Sequence, residues 1–569
     1  MRILFISHAF NSLTQRLFVE LREAGHEVTI EFDINAAVSL EAVELFQPDL
    51  IIAPFLKRAI AAAIWTQHTC LIVHPGIRGD RGPSALDWAI LNQESQWGVT
   101  VLQANAEMDG GDIWASVEFD MPNTSKAGLY HNEVTQAATE AVLLAVTRFE
   151  SGHFKPEPLD YSSRTVSGQL RPLMRQSERS IHWQQDGTQT VLRKIRCADG
   201  FPGVADYLSH RELFLYDGHP EKTLRGEPGE LIARCGTAVC RATTDGAVWI
   251  GHLRDKAAKH PFKLPASSIL GAEFETLPEI PADANSGYRD IWYEQEAEVG
   301  YLHFPFYNGA MGTQQCQRLR REYIKACGRD TKIIVLMGGP DYWSNGMHLN
   351  LIEASESAAD ASWENINAIN DLALEIINTD NQLTIAALQG NAGAGGVFLA
   401  RAADRVWARK GILMNPHYKD MGNLYGSEYW TYLLERYAGK ENAARITRAR
   451  LPMGTTEACT LRLIDNAFNH NPTSFVTELK QKARSLTMDS DFPAILQQKL
   501  KQRLTDEALK PLQQYREEEL ARMRLNFYGF DPSYHVARYN FVYKVAKSRT
   551  PLTIAAHRRT MRQTIKNRQ

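Results

Sequence analysis

The stretch Leu71-Ile72-Val73-His74-Pro75-Gly76 is a short apolar strand that ends in a turn. Leu50-Ile51-Ile52-Ala53 has the same character, and strands that are apolar on both faces are typical of buried parallel sheets. Further strands are predicted at residues 3–6 and 28–32, and the segment between them has apolar residues at helical spacing. This alternation of strand and helix predicts a doubly wound, Rossmann-like α/β domain over residues 1–165.

The rest of the chain divides by its local patterns. Pro156, Pro158 and Ser162-Ser163 mark a linker, and short β patterns then predict a small β-rich, OB-like domain over residues 170–275. A second linker at 276–287 precedes an α/β domain at 288–545 whose last part is helical. Residues 546–569 form a basic tail that we expect to be a solvated terminal helix; contact with a polyanionic partner or with ligand phosphates is the alternative.

The composition restricts the classes of function. The 569 residues carry 63 Lys+Arg against 66 Asp+Glu, a balance that argues against a nucleic-acid partner. The seven cysteines are scattered and form no CxxC pair, which indicates free thiols and neither a zinc site nor a disulfide framework. Residues 51–65, the longest apolar stretch, are interrupted by Lys57-Arg58, and a strand at residues 1–6 leaves no room for a signal peptide. We expect a cytoplasmic protein without a membrane span or a bound metal.

His74 is the first candidate catalytic residue. It should lie at the carboxyl edge of the first sheet, where open α/β folds place their active sites, and an imidazole there is suited to act as a general base. Asp109, in Met108-Asp109-Gly110-Gly111-Asp112-Ile113, is suited to orient that base. Taken alone, both residues are better explained as ordinary loop and turn residues than as catalytic ones.

These motifs, together with Arg81-Gly82-Pro83, resemble the methionyl-tRNA and folate formyltransferase family. The resemblance implies N10-formyl-tetrahydrofolate as formyl donor, bound around Ile72, Gly76, Arg81 and Gly82, with His74 and Asp109 as the catalytic pair. Residues 171–274 resemble the family's C-terminal domain, in motifs such as Phe201-Pro202-Gly203. A tRNA substrate is disfavoured by the net charge of −3.

One position departs from the formyltransferase pattern. The family has an asparagine where this chain has Ile72, and losing one such oxyanion donor commonly costs on the order of 10²–10³ in rate. Either backbone amides near Gly76 replace it, or the acceptor is a thiol, which is more nucleophilic at neutral pH than an alcohol.

A second candidate site comes from two glycine-rich turns, Trp343-Ser344-Asn345-Gly346-Met347-His348-Leu349 and Gly390-Asn391-Ala392-Gly393-Ala394-Gly395-Gly396. Two backbone N–H groups from such turns can polarise a thioester carbonyl, because glycine permits close approach of the backbone. The order and spacing of the turns, with Met453-Gly454-Thr455-Thr456-Glu457-Ala458 downstream, resemble the crotonase (enoyl-CoA hydratase) family. The resemblance implies coenzyme A as ligand, oxyanion amides at Met347 and Gly395, and ligand contacts at Ser344, Gly346 and Gly396.

The acids of the hydratases are missing from this second site. Phe398 stands where hydratases carry one glutamate, and His417 lies roughly where they carry the other. Water addition needs such a pair, so hydratase activity is disfavoured. Tyr418 and Glu428 are the alternative acid–base candidates; a core aromatic and a helix-start glutamate would explain them equally well.

The order of these domains resembles the HoxX family of hydrogenase maturation proteins over nearly the whole chain, with a distinctive joint at Phe304-Pro305-Phe306-Tyr307-Asn308-Gly309-Ala310-Met311. The resemblance implies formyl transfer from N10-formyl-tetrahydrofolate to CoA, followed by decarbonylation of formyl-CoA to carbon monoxide and CoA. The product would serve the nickel–iron centre, with the maturation machinery of the hydrogenase large subunit as partner. The family's proposed catalytic tyrosine and glutamate match Tyr418 and Glu428.

Two other functions fit the same motifs. One is formyl transfer to a different amine, with an unrelated acyl-CoA activity in the second half of the chain. The other is a CoA-loaded chaperone of hydrogenase maturation that has no catalysis of its own. Trapping of carbon monoxide by a haem protein distinguishes the preferred function from both.

Overall fold

The computed structural model describes residues 1–208, 210–282 and 287–559. The chain forms two compact units: Met1–Tyr288 together with the segment that begins at Ala546, and Arg289–Val545. Within the described part of the chain, no helix is long and apolar enough to cross a membrane, and no cluster of His, Cys, Asp and Glu is arranged to hold a metal ion.

The first domain of the first unit is built on a mixed sheet. Its strands are β1 (Arg2–Ser7), β2 (Glu27–Phe32), β3 (Leu50–Ala53), β4 (Cys70–His74), β5 (Gln96–Gln103) and β6 (Ile113–Asp120), in the order β2-β1-β3-β4-β5-β6. Strands β1 to β4 are parallel, as predicted, and their apolar side chains are almost entirely buried. Strands β5 and β6 are antiparallel, so the doubly wound sheet is parallel only in its first part. The helices are α1 (Ser12–Glu23), α2 (Ala36–Phe46), α3 (Ala62–Trp65), α4 (Ala85–Leu91), α5 (Lys126–Leu129) and α6 (Thr135–Glu150).

The C-terminal segment packs against β2, the edge strand of this sheet. Ile30 donates its N–H to the carbonyl of Ile554 (3.1 Å), and Phe32 donates its N–H to Thr550 Oγ1 (2.8 Å). Thr550 and His557 are buried, and the His557 ring lies 2.9 Å from the buried carboxylate of Glu31. The prediction of a solvated terminal helix is therefore wrong for residues 546–559, because they cover a sheet edge that would otherwise expose unpaired backbone groups. Residues 560–569 of the predicted tail lie outside the described part of the chain.

A small antiparallel β domain follows in the first unit. Its sheet has the order β7-β8-β11-β10-β9, with β12 paired to β11. The strands are β7 (Val204–Leu208), β8 (Arg211–Glu221), β9 (Leu231–Cys235), β10 (Ala238–Ala242), β11 (Ala247–Asp255) and β12 (Leu264–Pro265), and the helices are α7 (Thr188–Ala198), α8 (Ala266–Leu270) and α9 (Ala272–Thr276). The β-rich domain predicted from turn spacing is confirmed.

The second unit contains a long sheet and a short one. The long sheet has the order β13-β14-β15-β17-β19-β21 and the short sheet β16-β18-β20. The strands are β13 (Trp292–Glu296), β14 (Val299–His303), β15 (Ile333–Gly338), β16 (Tyr342–Ser344), β17 (Leu383–Leu388), β18 (Asn391–Gly393), β19 (Arg405–Arg409), β20 (Met414–Asn415) and β21 (Asn466–Phe468). Because β16 and β18 pair in parallel, the two glycine-rich turns that follow them lie at the same edge of the short sheet.

Helices cover both faces of the long sheet. The last part of the unit is helical, as predicted. They are α10 (Thr313–Cys327), α11 (Leu349–Ala354), α12 (Ala358–Ile377), α13 (Gly395–Arg401), α14 (Trp430–Tyr437), α15 (Gly439–Ala449), α16 (Thr455–Thr460), α17 (Pro472–Thr487), α18 (Phe492–Leu509), α19 (Leu512–Tyr528) and α20 (Ser533–Val542). One large core contains α10, α12, α13 and α14, and a second core lies under α17.

Candidate active sites

His74 is the last residue of β4, and it lies between two carboxylates. Its Nε2 is 3.0 Å from Asp80 Oδ2, and its Nδ1 is 3.7 Å from Asp109 Oδ2. Asp109 belongs to the connection between β5 and β6 and has a left-handed φ of 54°, a conformation that aspartate tolerates better than most residues. The two residues singled out from the sequence therefore lie side by side.

The residues predicted to bind the formyl donor surround His74. Ile72 lies two positions earlier on the same strand, so its side chain points to the same face of the sheet as His74. A Cβ at Gly76 would lie only 2.5 Å from His74 Nε2, so glycine allows the loop to pass under the ring. Gly82 donates its N–H to Asp109 Oδ2 (3.3 Å), and Arg81 is paired with Glu107.

Two charged residues at this site had not been identified from the sequence. Asp80 is completely buried and also accepts a hydrogen bond from Arg171 Nε (2.8 Å). Arg171 lies 91 residues further along the chain, in the segment where the sequence predicts the start of the next domain. The Arg-Gly-Asp-Arg-Gly run at 78–82 signals a turn, but nothing near Asp80 in the sequence indicates its partner.

In the second unit, the two glycine-rich turns meet. Gly346 has φ +74°, and a Cβ on it would lie 3.4 Å from the amide nitrogen of Gly395. Gly396 approaches Ser344 so closely that a Cβ would lie 2.1 Å from the Ser344 carbonyl oxygen. Ser344 is buried, and its hydroxyl accepts the N–H of Gly346 (3.0 Å).

The two amides predicted to polarise a carbonyl lie on these turns. Gly395 is the first residue of α13, and the first N–H groups of a helix have no intrahelical acceptor. Met347 is held from both sides: Met311 donates its N–H to the Gly346 carbonyl (2.9 Å), and His348 donates its N–H to Asn365 Oδ1 (3.1 Å).

Tyr418 and Glu428 form a buried pair beside these turns. The Tyr418 hydroxyl lies 2.6 Å from Glu428 Oε2, and a Cβ on Gly395 would lie 2.1 Å from Glu428 Oε1. Burial raises the pKa of Glu428 to about 7, although Tyr418 and the Ser427 N–H both donate hydrogen bonds to it. Burial and the neighbouring Glu428 raise the pKa of Tyr418 well above its usual value. The arrangement offers one carboxyl group poised to exchange a proton near neutral pH.

Further buried groups hold this pair, and they too had not been identified from the sequence. Glu428 and Tyr429 have consecutive left-handed φ values of 62° and 59°, which cost about 1–3 kcal/mol each for residues other than glycine. Asn370 accepts the N–H of Glu428 (2.8 Å), and Glu519 accepts the N–H of Tyr429 (3.0 Å). Burial raises the pKa of Glu519 to about 7 as well.

The two residues at the hydratase acid positions take other roles. Phe398 stacks on Tyr418, with ring centroids 5.3 Å apart and planes inclined by 21°. Burial lowers the pKa of His417, so its neutral form is favoured. An apolar ring therefore lies against Tyr418 at the position where the sequence resemblance predicts a hydratase carboxylate.

Family models match three parts of the chain: formyl transferase over residues 1–146, the formyl transferase C-terminal domain over 173–264, and enoyl-CoA hydratase/isomerase over 316–527. Hydrogenase maturation factor HoxX of Bradyrhizobium diazoefficiens is 55% identical over 558 residues, covering 98% of this chain and 97% of its own length. A methionyl-tRNA formyltransferase of Syntrophus aciditrophicus is 24% identical over 196 residues, 34% of this chain and 61% of its own length.

A full-length structural relative is also known. The crystal structure of HypX from Aquifex aeolicus in complex with tetrahydrofolic acid superposes with a TM-score of 0.95 at 47% identity, covering 98% of this chain and 99% of that one. The identity and coverage of these two relatives extend over both units of the chain, including both candidate sites. The chain therefore belongs to the HoxX/HypX family of hydrogenase maturation factors, with formyltransferase domains in its first unit and a crotonase-like domain in its second.

Proposed function

We propose that this protein makes carbon monoxide for the maturation of nickel–iron hydrogenase. In the first reaction, a formyl group passes from N10-formyl-tetrahydrofolate to the thiol of CoA. In the second, formyl-CoA is decarbonylated to carbon monoxide and CoA. The observation that carries the proposal is the buried Tyr418–Glu428 pair, 2.6 Å apart, beside the glycine-rich turn at Gly395.

For the first reaction, the tetrahydrofolate complex of the Aquifex aeolicus relative supports a folate donor. His74 accepts the proton of the attacking thiol and later returns a proton to N10 of the departing folate. Asp109 lies on the same side of the ring as Nδ1 and helps to place the thiol. A thiol acceptor fits Ile72, because a strong nucleophile depends less on the oxyanion donor that the asparagine of the tRNA enzymes supplies.

For the second reaction, the N–H groups of Met347 and Gly395 polarise the thioester carbonyl of formyl-CoA. Glu428 removes the formyl hydrogen as a proton while the C–S bond breaks, which releases carbon monoxide. The CoA thiolate then takes back a proton from Glu428. Tyr418 holds the carboxyl group and the formyl group in place, and its hydroxyl stays protonated because its pKa is raised by burial.

Hydration of a double bond is not proposed for this site. Water addition uses a pair of carboxylates, and the Phe398 ring stacks on Tyr418 where one of them would stand. An apolar wall here also keeps water from formyl-CoA, whose hydrolysis would waste the formyl group.

The setting of the reaction is part of the same proposal, and membership of a family of hydrogenase maturation factors supports it. The product is destined for the hydrogenase large subunit and its maturation machinery, with no role for nucleic acid or a membrane. A cytoplasmic location fits the seven cysteines, all of which are free thiols.

Labelled carbon monoxide tests the proposal. The full chain is incubated with N10-[¹³C]formyl-tetrahydrofolate and CoA under a haem trap, and we expect ¹³CO only when both substrates are present. A formylated amine without carbon monoxide would instead indicate a formyltransferase with another acceptor. Bound CoA without any turnover would indicate a chaperone, and either outcome would overturn the proposal.

A further inference from the structure

The segment that joins the two domains of the first unit takes part in the first candidate site. Residues 168–171 lie alongside the loop at 78–82 and pair with it through backbone hydrogen bonds. Gly168 donates its N–H to Arg78 (2.9 Å), Arg81 donates to Gln169 (3.1 Å), and Arg171 donates to Arg81 (2.9 Å). The sequence pattern places a linker before this segment and the start of the next domain within it, whereas the structure has a strand-like segment paired with the loop of the first domain.

Two glycines make this pairing possible. A Cβ on Gly82, which has φ +113°, would lie 2.1 Å from the carbonyl oxygen of Arg171. A Cβ on Gly168 would lie 1.9 Å from the amide nitrogen of Asp80. Both contacts are with backbone atoms, so neither would be relieved by a change of side-chain rotamer.

The pairing brings the guanidinium group of Arg171 to the buried carboxylate of Asp80. Its Nε donates to Asp80 Oδ1 (2.8 Å), and its Nη2 donates to Glu94 Oε1 (3.2 Å). The group also lies 5.3 Å from the centre of the Trp97 ring. Arg171 is buried, so these contacts fix its position and compensate the buried charge of Asp80.

Asp80 and Asp109 differ in how they meet His74. The Asp80 side chain is 0% exposed and lies 3.0 Å from Nε2, within hydrogen-bond distance. The Asp109 side chain is 14% exposed and lies 3.7 Å from Nδ1, beyond hydrogen-bond distance. The buried carboxylate is therefore hydrogen-bonded to the ring, whereas the more accessible one is not.

We propose that Asp80, held by Arg171 from the interdomain segment, is the positioning residue of His74, and that Nδ1 of His74 faces the reacting groups. Asp80 accepts the Nε2–H and so holds the imidazole in the tautomer whose Nδ1 is basic. Asp109 is thereby free to contact the incoming thiol. This assignment rests on the proposed formyl transfer, and it moves the orienting role from Asp109 to Asp80.

Formyl transfer to the CoA thiol is balanced in atoms and protons with these groups alone. Nδ1 accepts the proton of the CoA thiol as the S–C bond forms at the formyl carbon. The C–N10 bond of the folate then breaks, and the proton on Nδ1 passes to N10. The products are formyl-CoA and tetrahydrofolate, and His74 returns to its starting tautomer without an oxidant or reductant.

Variants of the full chain test this assignment through kcat and KM for N10-formyl-tetrahydrofolate. Asp80→Asn should lower kcat about 100-fold or more while KM changes less than about threefold, since the substituted residue orients His74 and does not touch the folate. Arg171→Met should have a similar effect, and Arg171→Lys, which keeps the charge, should restore most of the activity. Glu157→Gln is the matched control, because it removes an exposed ion pair with Arg78 of the same loop (2.9 Å) without touching Arg171, Asp80 or His74, and it should leave kcat unchanged.

A second measurement needs no variant to be active. In protein labelled with ¹⁵N-histidine, with the His74 signals assigned by their loss in His74→Gln, the neutral ring should carry its proton on Nε2. A proton on Nδ1, or Asp80→Asn with kcat within threefold of the unsubstituted chain, would overturn the assignment. Failure of the unsubstituted chain to use CoA as acceptor would refute the proposed function instead, and the tautomer would still decide the role of Asp80.

Discussion

At the scale of single side chains, the surroundings of Glu428 are unusual for a glutamate. It is buried, it is bonded to Tyr418, and it occupies a left-handed backbone conformation that Asn370 and Glu519 help to hold. Strained backbone of this kind persists where the surroundings determine it strongly, and such positions cluster at functional sites.

Replacement of this pair should separate the two reactions. In Glu428→Gln and Tyr418→Phe we expect carbon monoxide release to fall about 10²–10⁴-fold, because the first change removes the base and the second removes the hydroxyl that holds it, while formyl transfer at His74 continues. Formyl-CoA should therefore accumulate from labelled formyl-folate, measured by liquid chromatography and mass spectrometry. Tyr323→Phe is the matched control, since Tyr323 is also buried in the second unit but bonds to Thr379. Normal carbon monoxide release in both variants would show that the pair only packs.

The pKa of Glu428 predicts a pH dependence for the second reaction. As a base it must be ionised, so with formyl-CoA supplied directly the rate of carbon monoxide release should rise with pH, with a midpoint near the pKa of about 7. Glu519 belongs to the same network and has a similar pKa, so the observed midpoint belongs to the coupled groups. A rate that does not change between pH 6 and 8 would remove Glu428 as the base.

The same pKa has a consequence for stability. A carboxyl group whose folded pKa is raised binds its proton more tightly in the folded protein than in the unfolded chain. Its contribution therefore favours folding below the ordinary pKa of 4.5 and is lost as the pH rises from 4.5 to about 7. Activity and stability should change in opposite directions over this window.

Among the secondary-structure elements, the short parallel sheet β16-β18-β20 determines where the turns of the second site meet. Each turn leads from a short strand toward a helix, and a Cβ added to Gly346 would lie 3.4 Å from the amide nitrogen of Gly395. This arrangement tolerates no side chain at Gly395, because the Glu428 carboxylate occupies that space.

Gly395→Ala should therefore abolish the second reaction without affecting the first. The added methyl group would displace Glu428 and the α13 amide together, and we expect carbon monoxide release from formyl-CoA to fall at least about 100-fold. Gly328→Ala is the matched control, since its new Cβ would meet the carbonyl oxygens of Lys325 and Ile324 at ordinary distances of 3.5 and 3.9 Å. Equal loss of activity in both variants would point to general destabilisation and not to the turn.

At the scale of the whole molecule, residues 546–559 belong to the same compact unit as residues 1–288. The segment after Ala546 returns to the edge strand β2, where Glu31 is bonded to Thr550, His557 and Arg558. Burial alone would raise the pKa of Glu31, but the hydrogen bonds from these three side chains outweigh burial and hold its pKa below the usual value. Its contribution to stability is present above the unfolded pKa and is lost as the pH falls through the lower, folded value.

A chain that ends at Val545 should leave β2 unprotected. The N–H groups of Ile30 and Phe32 would lose their acceptors on the C-terminal segment, and Glu31 would lose its hydrogen bonds from Thr550, His557 and Arg558. Hydrogen–deuterium exchange should therefore accelerate at 28–32, while β6 at the other edge of the sheet serves as the internal control. Unchanged protection of β2 would show that the segment is dispensable for this edge.

Much of the architecture is determined by the sequence itself, because its signals are local. Uninterrupted apolar runs predicted β3 and β4, and glycine-rich turns after short strands marked the second site. These patterns act between residues a few positions apart, where burial and backbone conformation leave a direct trace in residue type. The roles of His74, Asp109, Tyr418 and Glu428 stay predictions that rest on such local motifs.

Only the tertiary structure decided which distant groups complete each site. Asp80 meets Arg171 across 91 residues, Ser427 meets Glu519 across 92, and Glu31 meets His557 across 526. Each partner is a charged or polar residue, and its local sequence predicts only an ordinary surface or helix residue. Their pairing arises from the burial of polar groups, which must find a hydrogen-bond partner wherever the fold brings one within reach. That requirement links residues through space and leaves no periodic pattern along the chain.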